Sequence, residues 1–366
     1  MTAQADVSST IDSRKRRWNE FLKPDAAPGF LFKVGYPDNR LPPLPSAPPH
    51  WPDLAKERVE YKWLAYQRAL ERMLDVDDDS VPFINMCSGT EIFAEAFGCA
   101  VHRPSDNMPF ALPRIHTAAE VAAIQVPELS HSSLAYLFDM ADELARRAGP
   151  GAVFKMVDIQ SPLDIAALIW EKEAFFVAMI ETPEAVKELS SKASTLLCAF
   201  LDEWFRRYGK EHVAHFPDYF MSSGMTLSED EIGSLSVDMF REFVYPELAE
   251  LSARYGGIGM HCCADARHQW GNLKSVPGLR LLNFCNPPTR KPEEYVGAAL
   301  PFFAETCAQW HCGWTPDLPA ERWPEGYPQN SRVVIESWAQ DQTAAIHLAA
   351  RLRDWTTRRQ NQPRGI

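Results

Sequence analysis

The 366-residue chain lacks the sequence features of several large protein classes. No stretch approaches the roughly 18 uninterrupted apolar residues that a membrane-spanning helix needs. There is no glycine-rich loop of the kind that binds nucleotide phosphates, and no Gly-x-Ser-x-Gly turn that would carry a catalytic serine. These absences argue against a membrane protein, a kinase, a dehydrogenase and an esterase.

Cysteine and positive charge are also scarce. Eight cysteines in 366 residues are far fewer than a disulfide-stabilised scaffold carries. Residues 1–23 are polar and lack the apolar segment of a secretory signal, so we expect reduced thiols and a cytoplasmic location. The 49 acidic residues outnumber the 37 basic ones, which argues against nucleic acid as a partner. With 46% hydrophobic and 23% charged residues, the chain is predicted to be globular with a large core.

Proline sets the beginning of the chain apart. Seven prolines fall between Pro37 and Pro52, and each removes a backbone donor and fixes φ, which excludes a helix or a central strand there. We therefore predict an extended N-terminal arm over residues 1–55, packed against a globular body of residues 56–366.

Short apolar runs alternate with helical patterns through the body. Val81–Met86 and Val153–Ile159 predict strands, and Leu134–Arg147 between them predicts an amphipathic helix. Two further helices are predicted after Thr182-Pro183 and after Ser236, because Thr and Ser cap helix N-termini and Pro suits the first helical position.

The last third of the chain repeats this alternation. Four more apolar runs lead into His261, Cys285, His311 and Glu336; they are Ile258–Met260, Leu279–Phe284, Ala308–Trp310 and Val333–Ile335. Strands that alternate with helices predict an α/β fold with a parallel sheet. About eight such units in roughly 290 residues favour a single (β/α)₈ TIM barrel, whose active site lies at the carboxyl ends of the strands.

The residues at these strand ends suggest a metal site. His261 and Cys263 are two apart, so in an extended segment their side chains point to the same side and converge as zinc ligands do. Cys285, which ends the next strand, is the predicted third ligand; Glu336 and Cys312 compete with it. The alternative is that His261 and the neighbouring cysteines are ordinary core residues.

Five segments between residues 60 and 355 together resemble the uroporphyrinogen decarboxylase-like superfamily. In chain order they are Val81–Gly98, Asp158–Ala166, Glu181–Glu184, Ser236–Pro246 and His261–Asp265. The fourth is similar to the family's Ser-Pro-x-Met-Phe-x-Glu-Phe-x-x-Pro block. The first and the last are similar to segments of its methyltransferase branch, the last to His-x-Cys-Gly-Asp. The resemblance implies a TIM barrel.

The superfamily has two chemistries, and the residues bear on the choice between them. Its decarboxylases grip porphyrinogen carboxylates with arginines of the first strand, whereas Ile84–Gly89 contains no arginine. Its methylcobalamin:coenzyme M methyltransferases use zinc to activate a thiol, and their His and first Cys match His261 and Cys263. A last-strand Cys usually completes that set; here Glu336 and Ser337 occupy the place, and Cys285 lies where distant methionine synthases have Glu.

Further residues are predicted to contact the substrate. Asp218 resembles the carboxylate that the family places on its fourth strand, and with Glu336 it is a candidate acid or base. The candidate substrate-binding residues lie at or near strand ends; they are Asn85, Gln160, Tyr219, His311 and Trp314.

The resulting hypothesis is a zinc-dependent methyltransferase that activates a thiol or similar nucleophile for methyl transfer from a corrinoid donor. It implies a small-molecule substrate and a partner protein that carries cobalamin; the resemblance is compatible with a homodimer or a monomer. Two alternatives stay open. One is a metal-independent carboxy-lyase acting on a smaller acid, and the other is a non-catalytic barrel that binds a tetrapyrrole or corrinoid.

Overall fold

A computed structural model describes residues 2–38, 40 and 42–360 of the chain. The described residues contain both helices and strands throughout. The strands are β1 Gly29–Gly35, β2 Ile84–Asn85, β3 Val101–His102, β4 Phe110–Ala111, β5 Phe154–Lys155, β6 His212–Val213, β7 Phe220–Met221, β8 Met225–Ser228, β9 Ile258–Cys262, β10 Leu279–Phe284, β11 Ala308–Gln309 and β12 Arg332–Trp338. The α-helices are α1 Thr2–Phe21, α2 Ala55–Arg72, α3 Ile92–Ala96, α4 Ala135–Ala148, α5 Pro162–Ile169, α6 Lys172–Glu181, α7 Pro183–Tyr208, α8 Val237–Met239, α9 Tyr245–Tyr255, α10 Trp270–Lys274, α11 Val296–Phe302, α12 Trp323–Gly326 and α13 Gln342–Gln360. A π-helical turn, Phe240–Val244, joins α8 to α9.

Most of the strands form two sheets that are largely parallel. The larger has the order β1-β12-β11-β10-β9-β8, and all its neighbours run parallel. The smaller has the order β2-β5-β6-β7, in which only the pair β6–β7 is antiparallel. A parallel bridge between Gln160 and Ser228 connects β8 to the segment that continues β5. The predicted α/β fold with a parallel sheet is therefore confirmed.

Strand β1 is hydrogen-bonded to the segment before β2, both by backbone groups and by side-chain carboxylates. The Asp79 N–H donates to the Phe32 carbonyl at 2.9 Å. The carboxylates of Asp79 and Asp78 accept from the backbone N–H groups of Phe32 and Val34, at 2.9 and 3.1 Å. Side chains thus satisfy part of the β1 edge, and closure into a complete (β/α)₈ barrel stays a prediction.

Helix α1 covers one end of the cluster of side chains enclosed by the strands. The ring of Trp18 stacks on Trp310 with the centroids 6.4 Å apart, and its Nε1 donates to the Asp79 carbonyl at 2.7 Å. The buried Arg14 donates to the carbonyls of Met73 and Val76 at 2.8 and 2.6 Å. The apolar cluster beside Trp18 includes Leu31, Val81, Val153, Val213, Tyr219, Leu281, Ala308 and Val334.

The prediction for the N-terminal segment is corrected in part. Among the described residues, 36–38, 40 and 42–50 have no helix or strand, as the prolines require. The extended arm predicted for residues 1–55 is nevertheless wrong for its first part, because α1 is helical and β1 is a full strand of the larger sheet. The sequence of β1 is short and apolar, and it is stabilised by parallel pairing with the distant β12.

Most of the predicted elements of the body are present with shifted bounds. Strand β10 coincides with its prediction, and α4 differs from it by one residue at each end. Ser236 caps α8 by accepting from the Met239 N–H at 3.1 Å. Thr182 precedes α7 as expected, but its side chain makes no capping bond. In the described part of the chain, no helix is long and apolar enough to cross a membrane.

The close approach of β9 to Tyr219 gives a test of the interior packing. A Cβ at Gly259 would overlap the buried Tyr219 hydroxyl, so Gly259→Ala should lower the free energy of unfolding by about 2 kcal/mol. Tyr219→Phe in the same chain should recover part of this loss, because it removes the overlapping oxygen. Chemical denaturation of the single and double variants measures both effects.

Gly271→Ala is the matched control, because a Cβ at this position of α10 meets nothing within 4 Å. It should leave stability unchanged or raise it slightly. Equal losses for Gly259→Ala and Gly271→Ala, or no recovery in the double variant, would contradict the packing described here.

Candidate metal and substrate site

Three possible metal ligands converge after β8 and β9. Ligand atoms of Asp230, His261 and Cys263 all lie within 4.8 Å of one another. His261 is 9% exposed, Asp230 is half-buried and Cys263 is exposed, so one side of the cluster is open to solvent. The predicted pair His261 and Cys263 is thus brought together, and Asp230 joins it.

The register of the parallel strands positions this cluster. His261 is paired with Ser228 of β8 on one side and with Asn283 of β10 on the other. Asp230 follows β8 by two residues, and its Oδ1 accepts from the Cys263 N–H at 2.6 Å. The turn that carries Asp230 is fixed from behind, because the buried Asp164 carboxylate accepts from the Asp230 and Glu231 N–H groups at 2.8 and 3.1 Å.

Hydrogen bonds orient the His261 ring. The Asn283 amide nitrogen donates to the Trp310 carbonyl, which leaves Asn283 Oδ1 as an acceptor facing His261. The distance from His261 Nδ1 to this oxygen is 2.5 Å, so Nδ1 carries the proton. The lone pair of Nε2 is then available, which is the arrangement that metal-binding histidines adopt in proteins.

A bound cation would stabilise the ionised forms of this cluster. Burial and the adjacent Asp230 raise the pKa of the Cys263 thiol to about 12. Thiolate and carboxylate next to each other repel, so both would be ionised together only beside a positive charge. Nitrogen, sulfur and oxygen ligands at this spacing fit Zn²⁺, which binds all three.

A buried group of carboxyls lies behind Asp230. Asp164 and Glu229 are fully buried, and burial raises the pKa of each above its usual range. The Glu247 carboxyl accepts from the Ser190 hydroxyl, and burial raises its pKa to about 8. The raised pKa values favour protonated acids in this group, which limits the buried negative charge beside Asp230.

Cys285 and Cys312 form a separate pair. They are bridge partners at the ends of β10 and β11, both half-buried. A hydrogen bond between the two thiols is the main cause that raises the pKa of Cys285 and lowers that of Cys312 to about 7. Cys285 is not within the 4.8 Å cluster, so the predicted ligand set His261, Cys263 and Cys285 is not the set that the structure brings closest.

Asp218 lies among lysines. Its carboxylate is 2.6 Å from Lys155 Nζ, and its backbone carbonyl accepts from Lys33 Nζ at 3.2 Å. Two residues earlier, the Phe216 ring contacts the His261 ring with the centroids 4.8 Å apart. The loop after β6 therefore connects the lysines with the ligand cluster.

Three of the predicted substrate-binding residues differ in their exposure to solvent. Asn85 is exposed at the end of β2, and its carbonyl accepts from Lys62 Nζ at 2.5 Å. Gln160 is buried and donates to Asp158 Oδ1 at 2.5 Å. Tyr219 is 1% exposed inside the apolar cluster beside Trp18, which puts its ring away from the open side of the site.

The remaining predicted residues differ in whether their side chains are free to contact a substrate. Both ring nitrogens of His311 are used within the fold: Nδ1 accepts from the Phe284 N–H at 2.9 Å, and Nε2 is 3.0 Å from Gln309 Oε1. The Trp314 ring packs edge-on against Tyr327. Glu336 is exposed on β12.

Sequence reasoning missed Asp230, Asn283 and the lysines. Asp230 follows the short strand Met225–Ser228, which was not predicted as a strand, so its position at a strand end was not recognised. The alternation of apolar residues in Met225-Thr226-Leu227 was the available signal.

The family model for uroporphyrinogen decarboxylase (URO-D) matches residues 80–284, more than half of the chain. The chain belongs to the uroporphyrinogen decarboxylase family. The matched range contains Asp218 and the three clustered ligands, so the site lies within the family's own part of the fold. Among curated proteins, no sequence matches the chain.

A solved structure is also similar to this chain. It is a methyltransferase from Methanosarcina mazei, with a TM-score of 0.57 and 12% sequence identity. The alignment covers 87% of this chain and 95% of that one. At this identity the likeness establishes a shared fold, which extends on both sides of residues 80–284.

The protonated Glu247 predicts a pH dependence of stability. Its pKa is about 8 in the folded protein, against an ordinary value of 4.5. Between these values the unfolded chain loses the proton while the folded protein keeps it, so stability falls as the pH rises. Glu247→Gln mimics the protonated acid, and from pH 5 to pH 8 it should gain about 2–4 kcal/mol relative to the unmodified protein.

Denaturant unfolding at both pH values tests this, with Glu250→Gln as the control. Glu250 is exposed on the same helix, so its replacement should give the same small difference at both pH values. A Glu247→Gln difference that stays constant with pH would mean that this carboxyl is ionised in the folded protein.

Proposed function

We propose that the protein is a zinc-dependent methyltransferase whose metal is held by Asp230, His261 and Cys263. The observation that carries the proposal is the convergence of one carboxylate, one imidazole and one cysteine within 4.8 Å at the carboxyl ends of parallel strands. Three protein ligands leave one position of a tetrahedral zinc for a substrate, as catalytic zinc sites do.

The chain's own residues would prepare this position. Asn283 holds the proton of His261 on Nδ1 and so presents Nε2 to the metal. Asp164 holds the turn that carries Asp230. When bound, zinc lowers the pKa of a thiol so that its thiolate, the nucleophilic form, exists near neutral pH.

Support for methyl transfer also comes from the comparisons. The similar solved structure is described as a methyltransferase, and the family resemblance of His261–Asp265 is to the methyltransferase branch. We infer from the same resemblance that the methyl donor is a corrinoid on a partner protein and that the strands close into a (β/α)₈ barrel. Under this proposal the open side at Cys263 is where donor and acceptor meet.

The competing ligand set replaces Asp230 with Cys285. Cys285 lies one strand further along, and its thiol is already hydrogen-bonded to Cys312. The set with Asp230 requires no rearrangement of that pair. Glu336, which the sequence also suggested as a ligand or a catalytic group, is exposed on β12.

A metal-independent carboxy-lyase is the second candidate function. The observation in its favour is Asp218, whose carboxylate is held by Lys155 close to Lys33. Lysines beside a catalytic carboxylate would bind a substrate acid and stabilise the negative charge that stays on the substrate as carbon dioxide leaves. This candidate needs neither Cys263 nor a metal, so metal analysis separates the two.

Elemental analysis of the purified protein tests the first proposal. We expect about one zinc per chain, and Cys263→Ser, His261→Ala and Asp230→Asn should each lower the zinc content strongly while the fold is retained. Asn283→Ala should weaken zinc binding by roughly 10–100-fold, because it removes the group that orients His261. Methyl transfer from methylcobalamin to thiols should be lost in the same variants.

Cys285→Ser and Cys312→Ser are the matched controls, since both thiols are near the site but outside the cluster. Both variants should keep their zinc. Loss of zinc in Cys285→Ser but not in Asp230→Asn would establish the competing set. No zinc in any sample, even after reduction and reconstitution, would favour the carboxy-lyase, and Asp218→Asn would then be the variant to assay.

A further inference from the structure

A cavity of about 380 Å³ lies between β1, β2 and α2. This volume is in the range of small-molecule binding pockets. Much of its wall is apolar or aromatic, and includes Val34, Tyr66, Met73, Val76 and Phe83. An apolar group of ligand size would therefore be sheltered from water here.

The charged groups of this cavity are nearly all positive. Two of its cations are paired internally, since Arg14 is 3.3 Å from Asp78 and Arg72 is 3.4 Å from Asp38. The other two are Lys33 and Lys62. Within the part of the chain that the structure describes, neither lysine has a carboxylate at ion-pair distance.

Of the two lysines, Lys62 is the one that is buried without a counter-ion among the residues that the structure describes. It is 7% exposed, and its Nζ donates to the Asn85 carbonyl. Burial, with the nearby Arg58 as a second cause, lowers the pKa of Lys62 to about 7. A buried ammonium is costly unless an anion accompanies it. Its surroundings in the fold supply a neutral carbonyl instead.

Side-chain contacts of the loop after β6 link the cavity wall to the candidate site. Lys33, on the cavity wall, donates to the Asp218 carbonyl at 3.2 Å. Lys155, which pairs with Asp218, lies 6.0 Å over the ring of Phe83, another wall residue. Phe216 of the same loop contacts His261. This loop therefore contacts both a wall residue of the cavity and a metal ligand.

We propose that this cavity binds an organic acid with one carboxylate and an apolar, ring-sized body, with Lys33 and Lys62 as the partners of the carboxylate. That this acid is the substrate of the enzyme rests on the proposed function. The preference of the cavity for such acids does not, because it depends only on the lysines and the apolar wall.

Isothermal titration calorimetry on the full chain at pH 6.5, without metal, tests the proposal with 3-phenylpropionate and its neutral analogue 3-phenylpropionamide. The acid should bind at least tenfold more tightly than the amide. Lys62→Met should reduce the affinity for the acid by roughly tenfold and leave that for the amide nearly unchanged, as expected for loss of a charged hydrogen bond. Lys33→Met should act in the same direction.

Two controls keep the test decisive. Lys56→Met changes an exposed lysine of the same helix and should leave both affinities unchanged, while Lys62→Arg keeps the charge and should retain the preference. Equal binding of acid and amide, no binding of the acid, or an unchanged preference in Lys62→Met would overturn the proposal. Acetate or inorganic phosphate binding as tightly as 3-phenylpropionate would also overturn it, because the apolar wall would then have no role.

The outcome is separable from that of the metal experiment. Zinc absent with the acid preference intact would contradict methyl transfer alone. Zinc present with no acid preference would contradict the cavity assignment alone.

Discussion

The parallel register of β8, β9 and β10 is the constraint on which the candidate site depends. It sets Ser228, His261 and Asn283 side by side near the carboxyl ends of these strands. Because side chains alternate between the faces of a strand, a shift of one residue would turn His261 away from Asn283. The ring would lose the acceptor that fixes its tautomer, and the turn after β8 would no longer carry Asp230 to Cys263.

Charge is divided across the carboxyl ends of the strands. Carboxyl groups gather behind β8 and β9, where burial raises the pKa values of Asp164 and Glu229 and Asp230 lies beside His261. Lysines gather at β1, α2 and β5. Like charges repel within each half, and desolvated charges are costly. A metal cation on one side and an organic anion on the other would relieve both halves, which links the two proposals physically.

The N-terminal elements α1 and β1 help to form the region that contains the lysines. Helix α1 anchors the loop before β2 through Arg14 and Trp18, and the carboxylates of that loop satisfy part of β1. Asp78 and Asp79 bond to β1 at Val34 and Phe32, and both Val34 and Asp78 line the cavity beside α2. Lys33 therefore reaches the site from a segment that the proline content alone had suggested to be an arm.

The α/β alternation, the extent of β10 and α4, and the pairing of His261 with Cys263 could all be predicted from the sequence. These depend on local period: apolar runs define strands, and residues two apart in a strand share a face. The folded structure was needed to show that Asp230 is the third group of the cluster and that Cys285 pairs with Cys312. It was also needed to show that Lys33 and Lys155 both contact Asp218 and that Lys62 lines the same cavity as Lys33. Spacing along the chain cannot reveal these neighbours, because the order and register of strands distant in sequence are set by packing and hydrogen bonding in the folded protein.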